Sequence, residues 1–170
     1  MEIEKNIFET RNANVFNSPL EIGLRILFIL DAISPEEIDF NRLVIYDYFL
    51  LNSNDLPNGP RSLHPPIPHR SSQIIIKPLI LKDALIMMRS KELLDVVFSD
   101  EGIKYRANKY TSRFVELQEN NYSKKLIELS SWINTQYGGM SEIALNTLVE
   151  NNIPNWGGEF IYESLIRGEL

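Results

Sequence analysis

Between Leu20 and Ile33 apolar residues take nearly every position, broken only by Glu21, Gly23, Arg25 and Asp31. At helical spacing Leu20, Leu24, Leu27 and Phe28 share one face, and Ile22, Ile26, Ile29, Leu30 and Ile33 share another, which predicts a helix apolar nearly all round and therefore central. Ser18-Pro19-Leu20-Glu21 supplies its start: a capping box with proline at the first helical position. Gly23 permits a close helix contact. Ser34-Pro35-Glu36-Glu37 repeats the start signal, and Asp39 offers a second cap before a helix reaching about Leu51. Phe40, Leu43, Val44 and Leu50 form its stripe, with Asp47 on the same side among Tyr46, Tyr48 and Phe49. A buried carboxylate without a partner is costly, so Asp47 needs an ion pair or hydrogen bond inside the fold, or a contact on another protein.

The pattern then breaks. Asn52 to Ser72 holds five of the nine prolines and both histidines, too long for an ordinary connection and too rich in proline for a helix or central strand. Ser71 or Ser72 can cap the next helix, running to about Lys91, with Leu81, Ala84, Leu85 and Met88 on one face and Lys82 and Arg89 on another. Pro78 should kink it or mark its true start. LLDVVF and IKYRAN flank the polar turn SDEG and predict a hairpin, in which Lys104 and Arg106 point away from the apolar side. Helices are expected from Lys109 to about Glu119 and from Tyr122 to Gln136, the latter closed by Gly138-Gly139. Ser141 caps a shorter helix to about Glu150. A turn over Pro154 to Gly158 leads to a last helix carrying Phe160, Ile161, Leu165 and Ile166. Trp132 reads as core, and Trp156, in a turn, as exposed or packed on a partner.

Helix, helix, loop, helix and hairpin is the layout of a winged helix-turn-helix, but the insertion after the second helix is too long for the DNA-binding turn. That points to a winged-helix scaffold adapted for protein contacts. The expected fold is mainly α (α+β): a winged-helix-like core with a β-hairpin wing, a long proline-rich loop and a helical C-terminal extension. The expected division is an arm over 1–17, a core over 18–119 that includes the loop 52–72, and the extension over 120–170.

Composition narrows the function. A chain of 170 residues, 44% hydrophobic, can bury a core of its own. It has no cysteine, which removes disulfides, thiolate catalysis and cysteine-ligated zinc. MEIEKNIFETRN is charged and lacks the apolar run of a leader, and Leu20–Ile33 falls short of the roughly 20 apolar residues of a spanning helix, so a soluble, cytoplasmic protein is expected. The net charge of −6 is unevenly spread: −6 over 1–60, +5 over 61–113 and −5 over 114–170. The basic middle is either a local anion-facing patch or the surface on which the acidic parts pack.

No catalytic constellation follows from the residue types. His64 and His69, with Asp55, are the only candidates for a metal set, and H-x4-H in a proline-rich loop does not put two imidazoles on one helical face. They can instead hold the loop against the body, with Arg61 and Arg70 tying it to carboxylates, or dock a partner. Ser71 and Ser72 beside His69 lack an orienting third group, and no glycine-rich phosphate cradle is present. No metal, cofactor or enzyme activity is expected. For DNA, the candidate phosphate contacts are Lys82 and Arg89 on the third helix and Lys104 and Arg106 on the wing; the competing reading is a solvated, salt-bridged face.

Taken together, NSPLEIGLRILFILDA, YDYFLL, NGPRSLHPPIPHRSS and LLDVVFSDEGIKYRA resemble the middle component of bacterial ABC-three-component systems, a group resembling or including the Lamassu-type anti-phage and anti-plasmid operons. The resemblance covers roughly Asn14 to Gln136, and the loop wording is its most specific part. It implies a non-enzymatic subunit in complex with an SMC-like coiled-coil ABC ATPase and an effector, often a nuclease, meeting DNA mainly through that complex. On this reading Arg61, Leu63, His64, His69, Arg70 and Trp156 are the partner-binding candidates. A winged-helix transcriptional regulator is the first rival, and an enzyme built on the histidine loop the second.

Overall fold

The computed structural model describes residues 18–67 and 70–156. The expected arm over 1–17, His69 and the expected last helix lie outside the described residues. Helix α1, Pro19–Ile33, opens as its cap predicts: the Ser18 hydroxyl accepts from the Glu21 backbone N–H at 3.2 Å. Only half of the box closes, because the Glu21 carboxylate turns to Arg25. Asp39, not Ser34, caps α2, Phe40–Leu51, accepting from the Arg42 N–H at 2.9 Å. Ser34 ends α1 instead, its N–H on the Asp31 carbonyl. Between the two helices Ile38–Asp39 forms a short strand, β1, that no sequence period announces.

A 3-10 turn, Ser53–Asp55, begins the proline loop and another, Arg70–Ser72, ends it. Helix α3, Gln73–Ser90, carries Pro78 inside it, so that proline does not mark the start. The hairpin is β2, Asp95–Ser99, with β3, Gly102–Arg106. β1 adds to β3 as a third antiparallel strand, giving the order β1-β3-β2. Helix α4, Lys109–Glu116, is shorter than expected, and its Asn108 cap forms a reciprocal box with Thr111. Helix α5, Asn121–Tyr137, stops at the expected glycine pair, and α6, Glu142–Asn152, starts at the Ser141 cap. The described chain is thus mainly helical with one small antiparallel sheet, an α+β fold as expected.

α1 is the central element, packed against α2, α3, α4 and α5. Its Ile22, Ile26, Leu27 and Leu30 join Leu81, Ala84, Leu85 and Met88 of α3 and Leu126, Leu129 and Ile133 of α5 in one apolar cluster. Gly23 does permit the close helix contact: a Cβ there would overlap Met88. Leu145, Val149 and Trp156 belong to the same cluster, so the C-terminal helices share the core of the rest. Trp132 is half-buried against it, edge-on to Tyr137 with ring centres 5.9 Å apart.

Candidate interaction surface

Beneath the surface, α1, α2 and α3 are joined by charge. The partner that Asp47 requires is inside the fold, and it is double: Arg25 Nε and Nη2 donate to its two oxygens at 2.6 and 3.1 Å, and Lys77 Nζ donates at 3.0 Å. Burial alone would raise the Asp47 carboxyl, but the two cations override it and hold the group well below the usual carboxylate range. Burial lowers the Lys77 ammonium despite Asp47. Glu21 completes the set, accepting from Arg25 Nη1 at 3.2 Å, and burial raises its carboxyl against the pull of Arg25. Two cations face two carboxylates with a single oxygen, Glu21 Oε2, left without a partner. This arrangement fastens three helices to one another.

The proline loop is bolted down by a second ion pair. Arg70 donates from Nε and Nη2 to the two Asp55 oxygens at 2.7 and 2.6 Å, with both side chains nearly buried. The Tyr48 hydroxyl also donates to Asp55, at 2.7 Å, and burial together with that carboxylate pushes the phenol far above its ordinary range. Ser53 Oγ donates to the Pro60 carbonyl, and Ser62 Oγ accepts from the Asn54 N–H. Gly59 sits so close to the Ser53 carbonyl that no Cβ would fit. Trp156 covers this base, 4% exposed, stacked on Tyr48 at 4.9 Å and donating from Nε1 to the Asp55 carbonyl at 3.2 Å.

Of the expected partner-binding residues, Arg70 ties the loop to a carboxylate, the other reading given for it, and the exposed placing of Trp156 is corrected. Arg70 is inside the loop base, where the Asp55 pair uses its fork, and Trp156 is core rather than exposed, because its ring stacks on Tyr48 and meets Phe49 edge-on while the Asp55 carbonyl accepts from its N–H. Leu63 is half-buried against the apolar cluster. Arg61 and His64 do lie at the outer edge, lining a cleft of about 570 Å³ with Pro65 and Pro66. His64 Nε2 is 3.4 Å from the Tyr122 hydroxyl, so its described contact is a side chain of α5. No three His, Asp or Glu side chains that could share a metal ion occur among the described residues.

The four cations expected to meet DNA do not form one surface. Lys104 and Arg106 lie among acids on one face of the sheet: Lys104 pairs with Glu101 at 2.5 Å, and Arg106 reaches Glu37 at 3.4 Å and Asp95 at 3.5 Å. Lys104 also borders a cleft of about 600 Å³ lined by Glu36, Glu37, Asp39 and Glu142. Lys82 and Arg89 stand elsewhere, on the outer face of α3, and neither has an ion-pair partner among the described residues.

That outer face holds what the sequence reading missed. Leu79, Lys82, Ile86 and Arg89 recur at spacings of three, four and three residues, all exposed. Beside them the cross-strand pair Phe98 and Ile103 projects at the hairpin tip, 69% and 50% exposed, and Ile86 is 67% exposed. With Phe40, Leu85, Val96 and Tyr105 they line a groove of about 390 Å³, Lys82 and Arg89 at its border. Period-two alternation did put Ile103 and Tyr105 on the apolar side; the signal overlooked was Phe98 just before a turn, where an apolar ring has little protein left to cover it.

Residues 15–159 match the family model described as ABC-three component (ABC-3C) system Middle Component 2. The chain belongs to that family, as the resemblance implied, and is a middle component that works with the other components of its system. No curated protein and no solved structure matches it.

Proposed function

We propose that this member of the Middle Component 2 family is the non-enzymatic adaptor of its system, joining an SMC-like coiled-coil ABC ATPase to an effector, often a nuclease, in Lamassu-type immunity against phages and plasmids in the cytoplasm. The observation that carries the reading is the uncovered apolar face of α3 and the hairpin: the chain has a well-formed core, yet leaves Ile86, Phe98 and Ile103 in water. Contiguous exposed apolar groups rimmed by charge are what a subunit offers to a partner. The loop's outer edge, with Arg61 and His64, is a second contact. The element order α1, β1, α2, α3, β2, β3 supports a winged-helix core turned from DNA to protein. As an adaptor the chain would act by binding two states of the complex with different affinity.

Co-expression with the two neighbouring components tests this. A stable complex on size exclusion at micromolar concentration and physiological salt is the expected result; clean separation overturns the adaptor reading. Tight, sequence-selective DNA binding by the chain alone would favour the regulator.

A further inference from the structure

The groove between α3 and the hairpin has a composition that specifies its occupant. Its floor and walls are apolar: Phe40, Leu85, Ile86, Val96, Phe98 and Ile103. Its charges have one sign, Lys82 and Arg89, which stand seven residues apart on α3, two helical turns or about 10 Å. Cations with carboxylates in reach are already neutralised by the fold, as Lys104 and Arg106 are, whereas these two have no such partner among the described residues. Duplex DNA fits poorly. Phosphates would meet two cations and a bed of exposed aromatic and aliphatic side chains, and DNA affinity rests on many phosphate contacts rather than on apolar burial. A segment of protein with apolar residues on one side and carboxylates on its flanks satisfies both features at once.

From this complementarity, and resting on the adaptor reading above, we propose that the groove receives an acidic amphipathic segment of another component of the system, docked as a helix with its apolar side against Ile86, Phe98 and Ile103 and its carboxylates toward Lys82 and Arg89. A cavity of about 390 Å³ accepts a few side chains, which is the anchoring pattern of a helix in a groove rather than of two flat surfaces.

The test uses the full chain co-expressed with its system components, carrying a photo-crosslinking phenylalanine analogue in place of Phe98. The expected result is a crosslink to a segment of another component that is rich in Asp or Glu and apolar at helical spacing. The paired variants K82E/R89E and I86D/F98S should each lower recovery of the complex at least tenfold while melting like the wild type, since all four side chains are exposed. A complex that assembles normally with these variants overturns the groove inference and leaves the adaptor reading standing. A crosslink to a second copy, to residues 157–170 of the same chain, or to nucleic acid overturns the proposed occupant. Failure of even the wild-type chain to assemble overturns the adaptor reading, and the inference falls with it.

Discussion

Arg70 and Arg89 both come from the basic middle third of the chain and ended up in opposite situations. Arg70 lies at the base of the proline loop, its fork held by Asp55, with Tyr48 donating to the same carboxylate and Trp156 closing the site from above. Arg89 stands on the outer face of α3 beside an apolar groove, with no carboxylate within ion-pair reach among the described residues. At the loop base Asp55, Arg70, the Tyr48 hydroxyl and the Trp156 N–H find partners within the fold. On the α3 and hairpin face the apolar groups are the ones left uncovered. A loop dense in prolines and charge draws the eye in the sequence, but much of its charge is structural, whereas the cations and apolar groups that the fold leaves uncovered lie on the α3 and hairpin face.

The contrast is broken most forcibly at the deepest charge. D47N should cost about 3–5 kcal/mol, because it leaves Arg25 and Lys77 buried without their counter-charge. Out of a total stability of about 5–15 kcal/mol that is enough to show as a large drop in urea midpoint. The pH dependence has a definite sign. The Asp47 carboxyl lies lower in the folded chain than in the unfolded one, so its contribution is complete above the unfolded value of about 4 and is lost as pH falls below it toward the folded value. Urea melts at pH 7 and pH 3 should therefore show the difference between wild type and D47N shrinking in acid. An equal difference at both pH values would mean that the charge of Asp47 does not matter.

R70M comes next, at about 2–3 kcal/mol, the scale of hydrogen bonds to a charged group whose partner is left behind. The damage should also be local. Limited proteolysis should cut faster within 52–67 while the core helices stay protected, because Asp55 loses the bidentate partner that ties the loop's start to its end. Uniform susceptibility along the chain would show that the loop and the core melt as one.

Much of this was legible beforehand where the cause is local. Ser18, Asp39 and Ser141 cap the helices expected of them, since a cap depends on residues three apart. That Asp47 needs a partner follows from the sequence, because the cost of burying a carboxylate can be read from its apolar neighbours. Its partners were not legible: Lys77 is 30 residues away, and Arg25 reads as an interruption in an apolar run. β1 escaped because two residues, Ile38 and Asp39, are too few to show a period. The burial of Trp156 escapes the sequence for a related reason. In sequence it sits between Asn155 and Gly157 in a turn, and only the tertiary fold brings Tyr48 beneath it. The groove on α3 was half visible, in the stripe of buried residues that defined its opposite side.

The smallest effect on stability sharpens the comparison within the loop itself. Arg61 and His64 belong to the same proline-rich segment as Asp55, yet both side chains are exposed, and the contact between the Tyr122 hydroxyl and His64 Nε2 is long at 3.4 Å. Exposed side chains without strong partners contribute little, so R61A/H64A should change stability by no more than about 0.5 kcal/mol. On the adaptor reading the same variant should still lose part of its complex in a pull-down, because prolines hold the outer edge in one shape and a preorganised edge binds with less ordering cost. The two readouts separate the possibilities. A melt as depressed as that of R70M would show that the edge is bolted down like the base, and the loop would be structural throughout. An unchanged melt with full recovery of the complex would remove the loop from the interface and leave the α3 and hairpin groove to carry it alone.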